Sequence, residues 1–338
     1  MPSKPGFTRF EEFAPGSTYA NEQIPGGYQN IEERTGIRTR NIAGANDTIE
    51  SIGIEAAQTL FHALNIKSAD CGGLVLSSSS IPSADDDRMT EVAHHIATAL
   101  GVRGSVAGVN FACSGFPKAV QEALQMTTKT DRHILIITSE ILSRIVDWNN
   151  ESTAVLFGDR SAATTIRQNG DHPILDARAW EVDDPTQLIR LQKSDHAMDA
   201  FAQTSQRTCI TMNGKALFRL APREMVSLCE NSMKTTSLQP SDVSMLVPHQ
   251  ANGRFMQTIN NSINKKYPSE FKHLWIIDQI ADMGNVGSSS IPSALSRVQD
   301  YFQPGMAIIC PAMGAGPHFS GGKLTKGVLT FRVSGERQ

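Results

Sequence analysis

Three polar side chains stand in apolar surroundings where each could take part in covalent chemistry: Cys113, His249 and Asn285. Cys113 ends the β-like run Val109-Asn110-Phe111 and opens an amphipathic stretch. There Ala119, Val120, Ala123, Leu124 and Thr127 recur at helical spacing, with Pro117 suited to the first turn. A thiol at a strand-to-helix junction faces free helix amides and the positive end of the macrodipole, which favour the thiolate. Thiolate is the nucleophilic form, so the position suits covalent catalysis, although a small buried core cysteine would read the same way locally. His249, in Val247-Pro248-His249-Gln250-Ala251-Asn252, directly follows a strand, where α/β folds display functional side chains. Asn285 lies in the turn Met283-Gly284-Asn285-Val286-Gly287 ahead of a helix. Taken singly, His249 could as well satisfy core hydrogen bonds, and Asn285 could be a turn residue. Met313-Gly314-Ala315-Gly316-Pro317 is a glycine loop after a strand, whose amides could face an oxyanion or simply turn the chain.

The elements that must hold these residues follow from hydrophobic patterning. Gly73–Leu76, Ser105–Phe111, Ile134–Ile137, Met245–Val247, Met306–Ile309 and Gly327–Val333 read as strands. Ile49–Leu64, Arg88–Leu100, Lys118–Met126, Ala221–Met233 and Ser290–Phe302 read as helices. Such alternation implies α/β layers, with helices packed on sheets. The polar break Gln168-Asn169-Gly170-Asp171-His172-Pro173 divides the chain into halves 1–170 and 171–338. The halves share a rhythm without a direct sequence repeat, which only hints at a duplicated fold.

Composition excludes several classes. With 338 residues, 40% hydrophobic and 19% charged, the chain reads as a globular protein able to bury a large core. A net charge of −3 supplies no reason to expect nucleic acid or an anionic membrane as partner. No stretch approaches the roughly 20 apolar residues that cross a bilayer, and the N-terminus lacks the apolar core of a signal peptide. Cys71, Cys113, Cys209, Cys229 and Cys310 are odd in number and widely spaced, which fits a reducing, cytoplasmic setting rather than a disulfide framework or a zinc site. The triplet Asp85-Asp86-Asp87 reads as an exposed loop, not a metal site.

Order and spacing carry more than any single residue. Ala-Cys-Ser-Gly-Phe at 112–116, Pro-His-Gln-Ala-Asn at 248–252, Gly-Asn-Val-Gly-Ser-Ser-Ser-Ile-Pro at 284–292 and Gly-Ala-Gly at 314–316 together resemble the β-ketoacyl-acyl carrier protein synthase III family. Glu33-Arg34-Thr35-Gly36-Ile37-Arg38 and Leu156-Phe157-Gly158-Asp159 agree, so the resemblance spans residues 20–333. It implies the thiolase-like fold, two similar α/β halves in an αβαβα five-layer arrangement, and a homodimer. It also implies a decarboxylative Claisen condensation of a cysteine-bound acyl group, taken from acyl-CoA, with malonyl-acyl carrier protein. Carried over, Cys113 would be the nucleophile, His249 and Asn285 would donate to the thioester oxygen of the extender, and the amides of Cys113 and Gly316 would form the oxyanion hole. Arg34, Met89, Phe157 and Asn252 would line the substrate path, while Arg219 and Arg254 would help dock the acidic carrier protein. Acyl-CoA and phosphopantetheine thioesters are substrates in this reading, and no permanent cofactor or metal is implied.

Several positions depart from the family pattern. Asn30 stands where an aromatic residue often stacks on the adenine, and Asn150-Glu151-Ser152 replaces an Asp-Arg-Gly run, removing a cation. Arg160 replaces a glycine, and Met89 replaces the aromatic residue that often limits acyl length. These changes point to a specialised acyl donor or acceptor. The alternative within the family is an acyltransferase or dedicated precursor synthase, for biotin or secondary metabolism, with another donor or a non-malonyl acceptor. A thiolase would need a second cysteine as acid/base in the last glycine loop; Cys310 precedes that loop and reads as a buried thiol. The Cys, His, Asn order of cysteine proteases appears without their local cysteine signature. An inactive carrier-binding subunit would be expected to lose the nucleophile.

Overall fold

The computed structural model describes residues 4–81, 86–194, 207–271, 273–319 and 321–334. Its first seven strands are β1 (Pro5–Phe13), β2 (Ser17–Ala20), β3 (Thr39–Ile42), β4 (Cys71–Ser77), β5 (Ser105–Val109), β6 (His133–Ile141) and β7 (Asp159–Gln168). The next seven are β8 (His172–Asp183), β9 (Ile189–Ser194), β10 (Arg207–Met212), β11 (Val243–Leu246), β12 (Trp275–Ile276), β13 (Ala307–Ala315) and β14 (Lys323–Arg332). The helices are α1 (Ile31–Thr35), α2 (Ile49–Leu64), α3 (Asp86–Leu100), α4 (Gly115–Met126), α5 (Glu151–Ala154), α6 (Gly214–Thr236), α7 (Gly253–Lys266) and α8 (Ser290–Val298).

The strand order β5-β4-β6-β7-β1 is followed by β8-β14-β13-β11-β12, joined only where Gly6 and Phe7 of β1 meet Pro173 and His172 of β8. Read outward from that junction, each group of five has two antiparallel pairings and then two parallel ones. Helices α4 and α8 lie between the two groups: α4 packs on β4 and β6 and also on β8 and β14, while α8 packs on β1 and β7. Helix α2 covers the outer face of one group and α6 the outer face of the other. The layers are therefore αβαβα.

Alternation of side chains explains why the strands read as unbroken apolar runs. Ile134 and Ile136 of β6 enter the central core, while Leu135 and Ile137 face α2 and α3. In β13, Ile308 and Cys310 point inward to the same central core, and Ala307 and Ile309 face α6. Strands buried on both faces lose the polar half of the usual alternation. Helix α6 begins at Gly214, seven residues before its apolar pattern suggests, because Asn213 caps it by accepting from the Ala216 amide at 3.1 Å.

Candidate active site

Cys113 lies in a single 3-10 turn, Ala112–Ser114, that runs directly into α4. Ala112 holds φ +43°, a left-handed conformation that carries strain in a residue with a β-carbon. Cys113 is half-buried, whereas the other four cysteines are buried. It shares one cavity of about 810 Å³ with His249 and Asn285. Removal from water pushes the Cys113 thiol up to about 12, and the negative charge of Glu140 pushes the same way. A rise of that size is worth on the order of 4 kcal/mol before solvent screening, against about 0.3–2 kcal/mol from a helix end. Burial therefore outweighs the helix terminus, and the resting residue is a thiol rather than the thiolate that its position suggests.

His249 is 1% exposed, and its backbone extends the β11 ladder by donating to Pro311 O at 2.9 Å. The turn after it is clamped by the buried side chain of Gln250. That amide donates to Pro248 O at 2.6 Å and Ile277 O at 3.1 Å, and accepts from the Gln279 amide at 2.7 Å. Ser290, the first residue of α8, places Oγ 2.6 Å from His249 Nδ1 while accepting the Gln250 amide at 3.3 Å. The contact holds the ring in place; with the hydroxyl as donor to Nδ1, the ring proton resides on Nε2. Burial pulls the imidazole down to about 4, so it is neutral near pH 7. His249 is then a neutral donor facing the cavity.

Asn285 is held by backbone on both sides. Its amide donates to Leu156 O at 2.8 Å, and its carbonyl accepts from Gly158 at 3.1 Å. That approach requires two glycines. A β-carbon on Gly158 would lie 2.5 Å from Met283 O, and one on Gly284, at φ +68°, would lie 2.8 Å from Leu156 O. The Asn285 side-chain oxygen accepts from Gly287 N at 3.1 Å, which leaves its NH2 group as the free donor. The third wall is the end of β13. A β-carbon on Gly314 would stand 2.7 Å from Cys113 Cβ and 2.8 Å from Cys113 N.

Comparison with known proteins agrees with this arrangement. The family models 3-oxoacyl-[acyl-carrier-protein] synthase III and its C-terminal part match residues 108–180 and 233–324. Beta-ketoacyl-[acyl-carrier-protein] synthase III of Acaryochloris marina is 31% identical over 294 residues, covering 85% of each chain. The Synechocystis enzyme of the same name is 29% identical, covering 85% of this chain and 86% of its own. The chain belongs to the β-ketoacyl-acyl carrier protein synthase III family. The crystal structure of the Pseudomonas aeruginosa synthase III shares the fold at TM-score 0.78 and 21% identity, covering 99% of this chain and 100% of its own. The priming β-ketosynthase of the R1128 polyketide pathway does so at TM-score 0.79 and 22% identity, covering 99% and 98%. The protein is thus a thiolase-fold condensing acyltransferase. The reaction of this synthase III family joins acyl-CoA to malonyl-acyl carrier protein and employs no resident cofactor.

Within this synthase III framework the remaining expected residues fall into two groups. Arg34, Phe157 and Asn252 line the cavity. Phe157 pairs with Asn285 through a parallel bridge, and Asn252 caps α7 by accepting from the Arg254 amide at 2.8 Å. Gly316 does not line the cavity; a β-carbon there would meet Lys323 Cβ at 2.7 Å. Gly314, inside β13, is the glycine that abuts Cys113, because the chain has passed the strand end by Gly316 and turns toward Lys323. Met89 also lies away from the cavity, in the core among α2, α3 and β4. On α3, Met89 backs onto Gly108 of the edge strand β5.

Arg219 is exposed on α6, and Arg254 donates to Glu33 O and, at 3.1 Å, to Gln257 Oε1. Arg160 is 3% exposed and does not reach the cavity; it donates to Glu12 at 2.9 Å and Asn41 at 3.0 Å. Cys310 is buried in the central core. Asp85 lies outside the described residues. Among the described residues, no group of three or more His, Cys, Asp or Glu side chains could hold a metal ion, and no helix is long and apolar enough to cross a membrane.

Two site elements escape sequence reasoning. Ser290 reads as one of three consecutive serines, and only packing brings it to His249. Glu140, 0% exposed, accepts from Ser79 N at 3.0 Å, Ser79 Oγ at 2.9 Å, Ser80 Oγ at 2.5 Å and Ser288 Oγ at 2.6 Å. It thereby ties the loop after β4 to the turn before α8. A carboxylate soon after the apolar run of β6, together with the serine runs at 77–80 and 288–290, is the signal that could have found it.

Proposed function

We propose that Cys113 takes an acyl group from acyl-CoA and that His249 and Asn285 drive decarboxylation of the malonyl extender. The observation that carries this reading is the convergence of one thiol, one neutral imidazole held through Nδ1 by Ser290 and one amide with a free NH2 in a single apolar-walled cavity. In the first half-reaction the thiol sulfur attacks the thioester carbonyl, the carrier thiolate leaves, and the cysteine proton ends on that thiolate. The exchange is proton-neutral overall, so the high thiol pKa leaves the net balance untouched, while attack itself proceeds through the thiolate. The oxyanion forms beside the Cys113 amide and the Gly314 backbone.

In the second half-reaction the malonyl carboxylate leaves as carbon dioxide, and its bonding electrons become an enolate. Nε2–H of His249 and the NH2 of Asn285 stabilise the enolate oxygen without handing a proton to the carbon. The carbanion attacks the acyl carbonyl, the bond to sulfur breaks, and the released thiolate takes up one proton. Acyl-CoA, malonyl-acyl carrier protein and β-ketoacyl thioester are the molecules handled. The apolar lining, which includes Met212, Met225 and Met313, favours a specialised starter with a flexible aliphatic chain.

The same reading divides the chain into a half at 1–170 that carries the nucleophile and a half at 171–338 that carries the His/Asn pair. It also makes the protein a homodimer. Edge strand β5 pairs only with β4, and Val106, Ala107 and Val109 are partly exposed along it, which suits a second copy. Cysteines that are odd in number and widely spaced suit the cytoplasm. Arg219 and Arg254 would meet the acidic carrier.

Intact-mass measurement with a panel of acyl-CoA donors, followed by malonyl-carrier protein, tests the proposal. An acyl increment is expected that vanishes in Cys113→Ala. Carbon dioxide release should collapse in His249→Ala and Asn285→Ala while acylation persists. Acylation without decarboxylation in the unaltered enzyme would make it a simple acyltransferase.

A further inference from the structure

Glu140 is a buried carboxylate that the proposed chemistry leaves unused. It is the eighth of nine residues in β6, and Gly314 is the eighth of nine in β13, the strand that holds the same place in the other group of five. Gly314 is bare where Cys113 needs room. Glu140 instead crosses to the turn Gly287–Ser289, where Oε1 accepts from Ser288 N at 3.2 Å and Ser288 Oγ at 2.6 Å. Its bonds from Ser79 and Ser80 fasten the same carboxylate to the loop after β4. Two of these donors are backbone N–H groups, which cannot act as acceptors, and among the described residues no cation pairs with the carboxylate. A buried anion is costly unless every donor is in place, so turn and loop are held to one geometry.

The turn so held is the one that aims Asn285. Gly287 N, one residue before Ser288, donates to Asn285 Oδ1 at 3.1 Å. Gly287 also lies against the carboxylate, since a β-carbon there would stand 3.1 Å from Glu140 Oε1. Asn285, Gly287 and Ser79 line the cavity, whereas Glu140, Ser80 and Ser288 stand behind its wall. We propose that Glu140 is a positioning residue for decarboxylation, holding the Gly287–Ser288 turn so that Asn285 presents its NH2 group to the enolate oxygen. This rests on the reading of Asn285 as a donor to that enolate. The two ends of an amide side chain are nearly isosteric, and the Gly287 N–H is what tells them apart here. With the turn released, the amide oxygen would share the place of the NH2 group and oppose the negative charge. Acylation of Cys113 uses neither end of that amide. Loss of the carboxylate also removes a negative charge that holds the Cys113 thiol protonated, so acylation should hold or quicken while decarboxylation falls.

The test measures two rates on each variant: Cys113 acylation by butyryl-CoA, read by intact mass, and carbon dioxide release from malonyl-acyl carrier protein. Glu140→Ala should lower carbon dioxide release at least about 100-fold with acylation unchanged or faster. Ser288→Ala removes a single hydroxyl, reads the same link without emptying the core, and should lower release about 10-fold with acylation unchanged. Glu140→Gln keeps an oxygen for Ser288 and should retain release within about 5-fold. Ser80→Ala cuts the 2.5 Å bond on the far side of the same carboxylate and should leave the ratio of the two rates within about 3-fold. In an Asn285→Ala background, Ser288→Ala should cost less than about 2-fold, because its effect runs through that amide. Equal losses of both rates in Ser288→Ala would overturn the proposal, as would unchanged carbon dioxide release or an undiminished loss in the Asn285→Ala background. An Asn285→Ala enzyme that releases carbon dioxide as fast as the unaltered one would instead remove the reading on which it rests.

Discussion

Cys113 and Ser288 occupy the same position in the two halves of the fold. Each follows a residue in left-handed conformation, Ala112 at φ +43° and Gly287 at φ +56°, and each sits in a 3-10 turn feeding a central helix. The preceding residues match as well, Phe111 at φ −131°, ψ 29° and Val286 at φ −108°, ψ 31°. The repeat is Asn110-Phe111-Ala112-Cys113-Ser114-Gly115-Phe116-Pro117 over Asn285-Val286-Gly287-Ser288-Ser289-Ser290-Ile291-Pro292. One half keeps the sulfur and the other keeps the asparagine that lines the same cavity. Ala112→Gly should therefore stabilise the protein by about 0.5–1 kcal/mol. Gly287→Ala should destabilise it by more, because the new β-carbon would also meet Glu140 Oε1 at 3.1 Å. Urea unfolding of both variants checks the pair.

The two glycines at the end of β13 should separate activity from stability. Gly314→Ala drives a β-carbon to 2.7 Å from Cys113 Cβ, and acylation is expected to fall at least about 100-fold with the fold retained. Gly316→Ala meets Lys323 instead, at 2.7 Å from Cβ and 2.9 Å from the carbonyl oxygen. A loss of about 1–3 kcal/mol in stability is expected, with a smaller effect on acylation. Burst-phase acylation and thermal unfolding, measured side by side, separate the two outcomes.

Because burial and Glu140 hold the Cys113 thiol near 12, its alkylation by iodoacetamide should be slow at pH 8 and still rising above pH 9. Glu140→Gln removes the negative charge and should shift the alkylation profile to lower pH. Cys113→Ala supplies the blank. A profile that reaches its plateau below pH 8 in the unaltered enzyme would show that the helix terminus dominates after all.

His249 links pH to stability with a definite sign. Its folded value, about 4, lies below the ordinary 6.5, so the unfolded chain binds a proton that the native state refuses. The contribution is full above pH 6.5 and is lost as pH falls toward 4, on the order of 3 kcal/mol in all. Asp159, raised to about 6, acts oppositely: its contribution is present below 3.8 and lost as pH rises through 6. The difference between the unaltered enzyme and His249→Gln isolates the histidine. Urea titrations at pH 4.5, 5.5 and 7 should show the variant gaining ground as pH falls. Ser290→Ala should cut decarboxylation roughly 10-fold without changing acylation, since Nδ1 of the imidazole loses the hydroxyl that holds the ring.

The α/β class was legible in the apolar runs, since β6 and β13 are buried on both faces and announce themselves without alternation. Helix α2 was readable to the residue because Thr48 caps it and its apolar stripe is unbroken. Strands β1, β7 and β8 were not read. Their polar residues Thr8, Thr165 and Asp176 are satisfied by partners distant in sequence, as in the 2.8 Å contact between Thr8 Oγ1 and Thr165 Oγ1 and the 2.7 Å bond from Ser232 to Asp176. The repeat was equally hidden, because the two copies agree in backbone angles and only at Asn, Ser and Pro in residue type.

By itself, the sequence determined which residue types are available for the chemistry and in what order they come: a cysteine before a helix, a histidine after a strand, an asparagine in a glycine turn. It also marked the loss of a cation at Glu151. Only the tertiary structure decided the states in which those residues work. Hydrogen bonds from α8 and the 156–158 segment orient His249 and Asn285, and burial protonates the thiol. The same packing sets Gly314 rather than Gly316 against Cys113, buries Met89 and Arg160 in the interior, and turns Glu151 onto Arg34. The imidazole contact spans 41 residues of chain and the charge pairs of Arg34 and Arg160 span 117 and 148, and no local pattern carries that information.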